Sequence, residues 1–241
     1  MLDWAAEHDP ERGLALAASL EGFWLVREPS EGASRLEPLL ARTPDSEPEL
    51  RAHALRALAG ALGLCGEYER AASSYGQSLE LFVASGNEIQ TANLRYRVAG
   101  HMVTMGETAA AWPLLEESLR TFRQLGLRRG EAQVLGYLAE KPHEEGDLAR
   151  AIELTLESAA IAHEIGWAWW ESGQLRAAAE LELERGDLEA AEGHTLRCLE
   201  LSLRLGDRRR VVHTAADLAA IAAEHGDAER QGVSGEQSRA K

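Results

Sequence analysis

Residues 146–166 read GDLARAIELTLESAAIAHEIG: a Gly-Asp turn, a stretch with apolar residues at three- and four-residue intervals, and a second glycine. Such intervals place the apolar side chains on one stripe of a helix. A glycine just past the stripe can take the left-handed conformation that closes a helix. The acid after a glycine can accept from, or oppose, the exposed N–H groups that open the next helix. One short segment therefore carries both the stop and the start of a helix.

The same punctuation recurs along the chain. Gly66-Glu67, Gly106-Glu107, Gly146-Asp147, Gly186-Asp187 and Gly226-Asp227 follow one another at a spacing of 40 residues, and Gly86, Gly126, Gly166 and Gly206 repeat that spacing with an offset of 20. Each half-period holds one helix of about 15–18 residues, about 25 Å long. Two helices per period predict a stack of antiparallel helical hairpins. Within it, Ala71, Ala111, Ala151 and Ala191 share a position in the second helix, as do Ser78, Ser118, Ser158 and Cys198. Leu58, Val98, Leu138, Ala178 and Leu218, each followed by Ala, share one in the first. Small residues at fixed positions let neighbouring helices approach closely.

The predicted fold is all-α, an α-α superhelix over 1–226, with hairpins near 10–44, 45–86, 87–126, 127–166 and 167–206 and a partial one at 207–226. Upstream the frame is degraded: Phe23-Trp24-Leu25 falls near the end of a first helix, and the turn Arg27-Glu28-Pro29-Ser30 lacks its glycine. Ser46-x-x-Glu49 with an early Pro48 predicts a capping box for the second hairpin. Residues 227–241 carry few large apolar side chains and are expected to form a frayed helix or tail.

Composition excludes several functions. Of 241 residues, 25 are Lys or Arg and 40 are Asp or Glu, a formal charge of -15, which opposes tight binding to phosphate backbones. Aromatics at 5% disfavour a strand-rich fold. Cys65 and Cys198 form no CxxC, no apolar run approaches a bilayer span, and the N-terminus is acidic where a signal peptide is basic. A cytoplasmic protein that neither enters membranes nor binds nucleic acid directly is expected. His143-Glu144-Glu145 lacks the second histidine of a helical zinc site, and no nucleophilic set can be assembled, so neither a catalytic role nor a cofactor is expected.

In Leu58-Ala59, Gly66-Glu67, Ala71, Tyr75 and Ser78-Leu79 the chain resembles the tetratricopeptide repeats. The extra residues per period make it similar to the long-repeat subclass of bacterial transcriptional regulators such as the maltose regulator. The stretch from Asp3-Trp4-Ala5 to Glu31-Gly32 is similar to the start of the repeat region in regulators that join an ATPase to a DNA-binding domain. This chain shows no GxxxxGK[ST] loop, so it reads as a module of such a protein or as a stand-alone relative.

The resemblance implies a groove lined by first helices. It places His53 and Arg56 from the second hairpin there, Asn93 and Tyr96 from the third, Gln133, Glu140, His143 and Glu144 from the fourth, and Arg176, Glu180 and Glu184 from the fifth. His213 and Glu224 continue the row. Glu140/Glu144 and Glu180/Glu184 are like-charge i,i+4 pairs one period apart. They are either solvated surface or an acidic half-groove for a basic peptide or partner. In Trp167-Ala168-Trp169-Trp170, consecutive positions point about 100° apart, so at least one ring is expected in solvent. Trp169 and Trp170 are either packing between hairpins or an anchor for a partner or a second copy of the chain. The function expected is a protein- or peptide-binding scaffold in a bacterial signalling or transcription regulator. A small-molecule sensor and a self-association module, a homodimer for example, are the alternatives.

Overall fold

The computed structural model describes the backbone of residues 2–239 and the side chains of residues 2–224. Helices follow one another as α1 (Leu2–His8), α2 (Pro10–Ser19), α3 (Glu21–Arg27), α4 (Pro29–Arg42), α5 (Pro48–Leu64), α6 (Tyr68–Ala84), α7 (Glu88–Thr104), α8 (Thr108–Gln124), α9 (Arg128–Leu138), α10 (Glu140–Glu144), α11 (Leu148–Glu164), α12 (Ala168–Arg185), α13 (Leu188–Leu205) and α14 (Arg208–Arg239). No strand occurs among the described residues. The fold is all-α, and short turns force consecutive helices into antiparallel pairs.

The glycine ladder sets those turns. Gly66, Gly86, Gly106, Gly126, Gly146, Gly166, Gly186 and Gly206 all have φ between 66° and 85°, where any side chain would be strained. The ninth, Gly226, falls within the span of α14, beyond the described side chains, and the tail expected at 227–241 lies there too. Asp147 and Asp187 accept from the N–H groups of Arg150 and Ala190 at 3.0 and 3.1 Å. Glu67, one methylene longer, makes no cap and pairs with Arg70 instead. The expected Ser46 cap is corrected: with Pro48 as the first helical residue, Glu47 is the N-cap. Its carboxylate accepts from the N–H groups of Glu49 and Leu50, which holds its pKa below the usual glutamate value.

The periodic small residues have a second use. Ser78, Ser118 and Ser158, all fully buried, donate from Oγ to the carbonyls of Ala52, Ala92 and Ala132 at 2.7, 3.1 and 2.6 Å. Each bond ties the second helix of a hairpin to the first. Cys198 replaces the hydroxyl in the next hairpin and lies 3.5 Å from Thr214 Oγ1.

Two first helices are broken. Pro142 has no N–H to continue the helix, so α9 stops at Leu138 and α10 resumes at Glu140. Between α2 and α3, the Trp24 indole donates to the Ala17 carbonyl at 2.8 Å, taking an acceptor of the last turn of α2. Trp24 is buried against Gly32, where a Cβ would stand 2.7 Å from the tryptophan Cβ and Cγ.

The chain divides into two compact units, Met1–Thr121 and Phe122–Lys241. In the first, Leu14, Trp24, Leu36, Leu55, Leu58 and Leu62 form one cluster, and Ala52, Ala59, Tyr75, Phe82 and Leu94 another. In the second, Ala159, Leu175, Cys198 and Leu201 pack together, as do Ala151, Ile152 and Leu181.

Candidate functional site

In the first unit the expected groove residues are engaged by the chain itself. The break before α3 lets Glu21 reach across to α5 and α7. Its carboxylate meets Arg56 at 2.6 Å and Arg97 at 2.9 Å. Arg56 also donates to Gln90 Oε1 at 2.7 Å. Leu25 of the same helix fills the place of the side chain that Gly60 lacks, its Cδ2 standing 2.8 Å from where a Cβ would be. Tyr96 is buried and Asn93 half-buried on α7. The His53 ring sits edge-on to Phe82 with centroids 5.0 Å apart, and burial pushes its pKa below the ordinary imidazole value. Neither Glu21 nor Arg97 stands out in the sequence. They lie 76 residues apart, and only the break brings them together.

The second unit is different. A cavity of about 260 Å³ opens between α10 and α12, with Thr155 of α11 at its floor. Glu140 and His143 line one wall, and Gln174, Glu180 and Glu184 the other. His143 Nε2 lies 2.8 Å from Glu184 Oε2, and Arg176 pairs with Glu180 at 2.6 Å. Glu140 is exposed at the rim. Three of the four predicted acids thus meet on one cavity; Glu144 is exposed on α10 outside its lining, and Gln133 is half-buried on α9, also outside. Gly136 permits the approach of α12, since a Cβ there would lie 3.0 Å from Gln174 Oε1.

The tryptophans divide their labour. Trp167 and Trp170 stack with centroids 5.1 Å apart; Arg129 covers Trp167, and the Trp170 indole donates to Ser158 Oγ at 2.9 Å. Trp169 is 52% exposed. It lines a second cavity, of about 480 Å³, with Arg176, Asp207, Arg209, Arg210 and His213. Trp169, Arg176 and His213 are legible from the repeat frame; Arg209 and Arg210 are not. They open α14 and become part of a site because α14 lies beside α12. Among the described residues no group of three His, Cys, Asp or Glu could hold a metal, and no helix is long and apolar enough to cross a membrane.

No protein-family profile matches this chain, and no curated protein does. Solved structures do. BtubC from P. vanneervenii is similar over 85% of this chain and 87% of its own, at TM-score 0.68 and 19% identity. A signal-transduction ATPase with numerous domains and a tetratricopeptide repeat sensor, from Pyrococcus horikoshii, is similar over 93% of this chain at TM-score 0.70 and 15% identity, and the match spans 35% of that protein. NprR, solved in complex with its cognate peptide NprX, is similar over 91% of this chain and 64% of its own, at TM-score 0.66 and 13% identity. At these identities the likeness establishes the fold, which is that of the tetratricopeptide-type repeats.

Proposed function

We propose that this tetratricopeptide-type repeat chain is a non-catalytic scaffold whose second unit receives a peptide or protein segment bearing Lys or Arg. The observation that carries this reading is the convergence of Glu140, Glu180 and Glu184 on one cavity. Arg176 offsets Glu180, the His143 ring lies within hydrogen-bond distance of Glu184, and Glu140 remains for an incoming cation. Thr155 and Gln174 supply polar groups that fix orientation. At about 260 Å³ the cavity lies below the 300–1,000 Å³ usual for small-molecule sites and suits one long side chain of a larger ligand. The peptide in NprR and the repeat sensor in the Pyrococcus ATPase support a ligand-receiving arm of a regulator. Self-association has less to recommend it, because Trp170 is committed to Ser158 and leaves Trp169 as the one half-exposed ring of the three.

A positional-scanning octapeptide library bound to the purified chain tests this. The wild type should select Arg or Lys at one or two positions. Glu140→Lys with Glu180→Lys should weaken binding of the selected peptide about tenfold or more, as attraction becomes repulsion at a few ångströms. Added salt should weaken the wild-type complex. Unchanged affinity in the double variant would remove the acidic cavity from the account.

A further inference from the structure

Resting on that reading, we infer that the 480 Å³ cavity on the other side of α12 takes a carboxylate of the same ligand. The second unit would then hold a dipolar peptide in one direction. The two cavities share α12 but have opposite character. One is walled by Glu140, Glu180 and Glu184, the other by Arg176, Arg209, Arg210, His213 and the exposed Trp169, with Asp207 as its one acid.

The basic cavity is held in place before any ligand arrives. Arg210 donates to the Trp169 carbonyl at 3.0 Å and to Ser172 Oγ, and its guanidinium lies 5.2 Å from the Trp169 ring centre. Asp207 caps α14 by accepting from the Arg210 N–H at 3.0 Å, so the helix end is already satisfied and the side chains, not the terminus, make the site. Arg176 is offset by Glu180 and Asp217. Arg209 is exposed and has no ion-pair partner among the described residues. It supplies a positive charge that no ion pair among the described residues balances. Trp169 offers a flat apolar wall beside it, suited to the aliphatic part of the residue that bears the carboxylate.

The spacing fixes the ligand further. On α12 the acidic cavity uses Gln174 to Glu184 and the basic one Trp169 to Arg176, so their centres are offset by about 10 Å along the axis. Neighbouring helix axes stand about 8–10 Å apart. The diagonal, about 14 Å, is spanned by about four extended residues. The ligand is a peptide with a basic residue and a carboxylate about four residues apart, in one order only.

Four fluorescein-labelled octapeptides test this on the full chain by anisotropy. The first has Arg-Arg near its start, Glu-Glu near its end and an amidated C-terminus. The second reverses that order, the third carries Gln-Gln for Glu-Glu, and the fourth is the third with a free C-terminal carboxylate. The wild type should bind the Glu peptide of one order about tenfold more tightly than the Gln peptide. Arg209→Glu should abolish that preference, and an unchanged circular dichroism spectrum and melting temperature show that the variant is folded. A gain restored by the free carboxylate supports the inference with the chain terminus as its source. Equal affinity for the two Glu peptides and the amidated Gln peptide overturns it and leaves the acidic cavity standing. No binding by any of the Arg peptides overturns both.

Discussion

Phe82→Ala should destabilise the first unit by about 3–5 kcal/mol, the range for emptying a buried phenylalanine site. Phe82 is fully buried on α6, among Ala52 and Ala59 of α5, Tyr75 of its own helix and Leu94 of α7. Two of these neighbours are alanines, which have no side chain long enough to fill the space, and α5 is already tied to α6 through the Ser78 bond to the Ala52 carbonyl. The cavity therefore stays open and the loss falls toward the upper end. Urea unfolding read by circular dichroism measures it, and a loss below about 1.5 kcal/mol would mean the site collapses. A second readout follows from His53. Its folded pKa lies below the ordinary 6.5, so the unfolded chain binds more protons and wild-type stability declines as pH falls from 6.5 toward the folded value. Removing the ring that helps bury His53 should flatten this decline.

Glu21→Gln should cost about 2–4 kcal/mol, the penalty for leaving a mostly buried guanidinium without its anion, reduced because solvent reaches part of the pair. The Glu21 and Arg56 side chains are 13% and 15% exposed, and Arg97 is 31% exposed. The substitution keeps shape but removes the charge that joins α3 to α5 and α7, and it puts an amide N–H donor where one carboxylate oxygen accepts. Arg56 keeps Gln90, whereas Arg97 loses its carboxylate. A second substitution, Arg97→Gln, should recover part of the loss, and the coupling between the two isolates the pair. A loss under 1 kcal/mol would place these charges in the class of screened surface bridges.

The sequence makes legible whatever is decided locally. A positive φ after a helix requires glycine, so eight turns can be read directly from the ladder. An aspartate of the right length caps, and small residues at a fixed position mark where helices touch. The direction argument for adjacent tryptophans is also local: one ring had to face solvent, and Trp169 does. Reading fails where one choice depends on another. The Ser46 cap loses to Glu47 because Pro48 sets the first helical residue. The Glu21 clamp depends on a break whose cause, the Trp24 indole taking the Ala17 carbonyl, is a tertiary detail. Arg209 and Arg210 look like ordinary charges at a helix start until α14 is set beside α12. Of the candidate residues, the acids converge because a 40-residue period returns Glu140 and Glu180 to equivalent helices. Glu144 does not join them, because the break at Pro142 leaves α10 only five residues long and Glu144 at its end.

The most direct test of the central claim is to locate the ligand. A peptide selected from the octapeptide library, carrying a photoreactive benzophenone at its centre, can be crosslinked to the chain and the attachment point found by mass spectrometry. The account predicts attachment on α12 between Trp169 and Glu184, or on the facing residues of α10 and α14. Attachment on α13, on α11 away from Thr155, or in the first unit would contradict it.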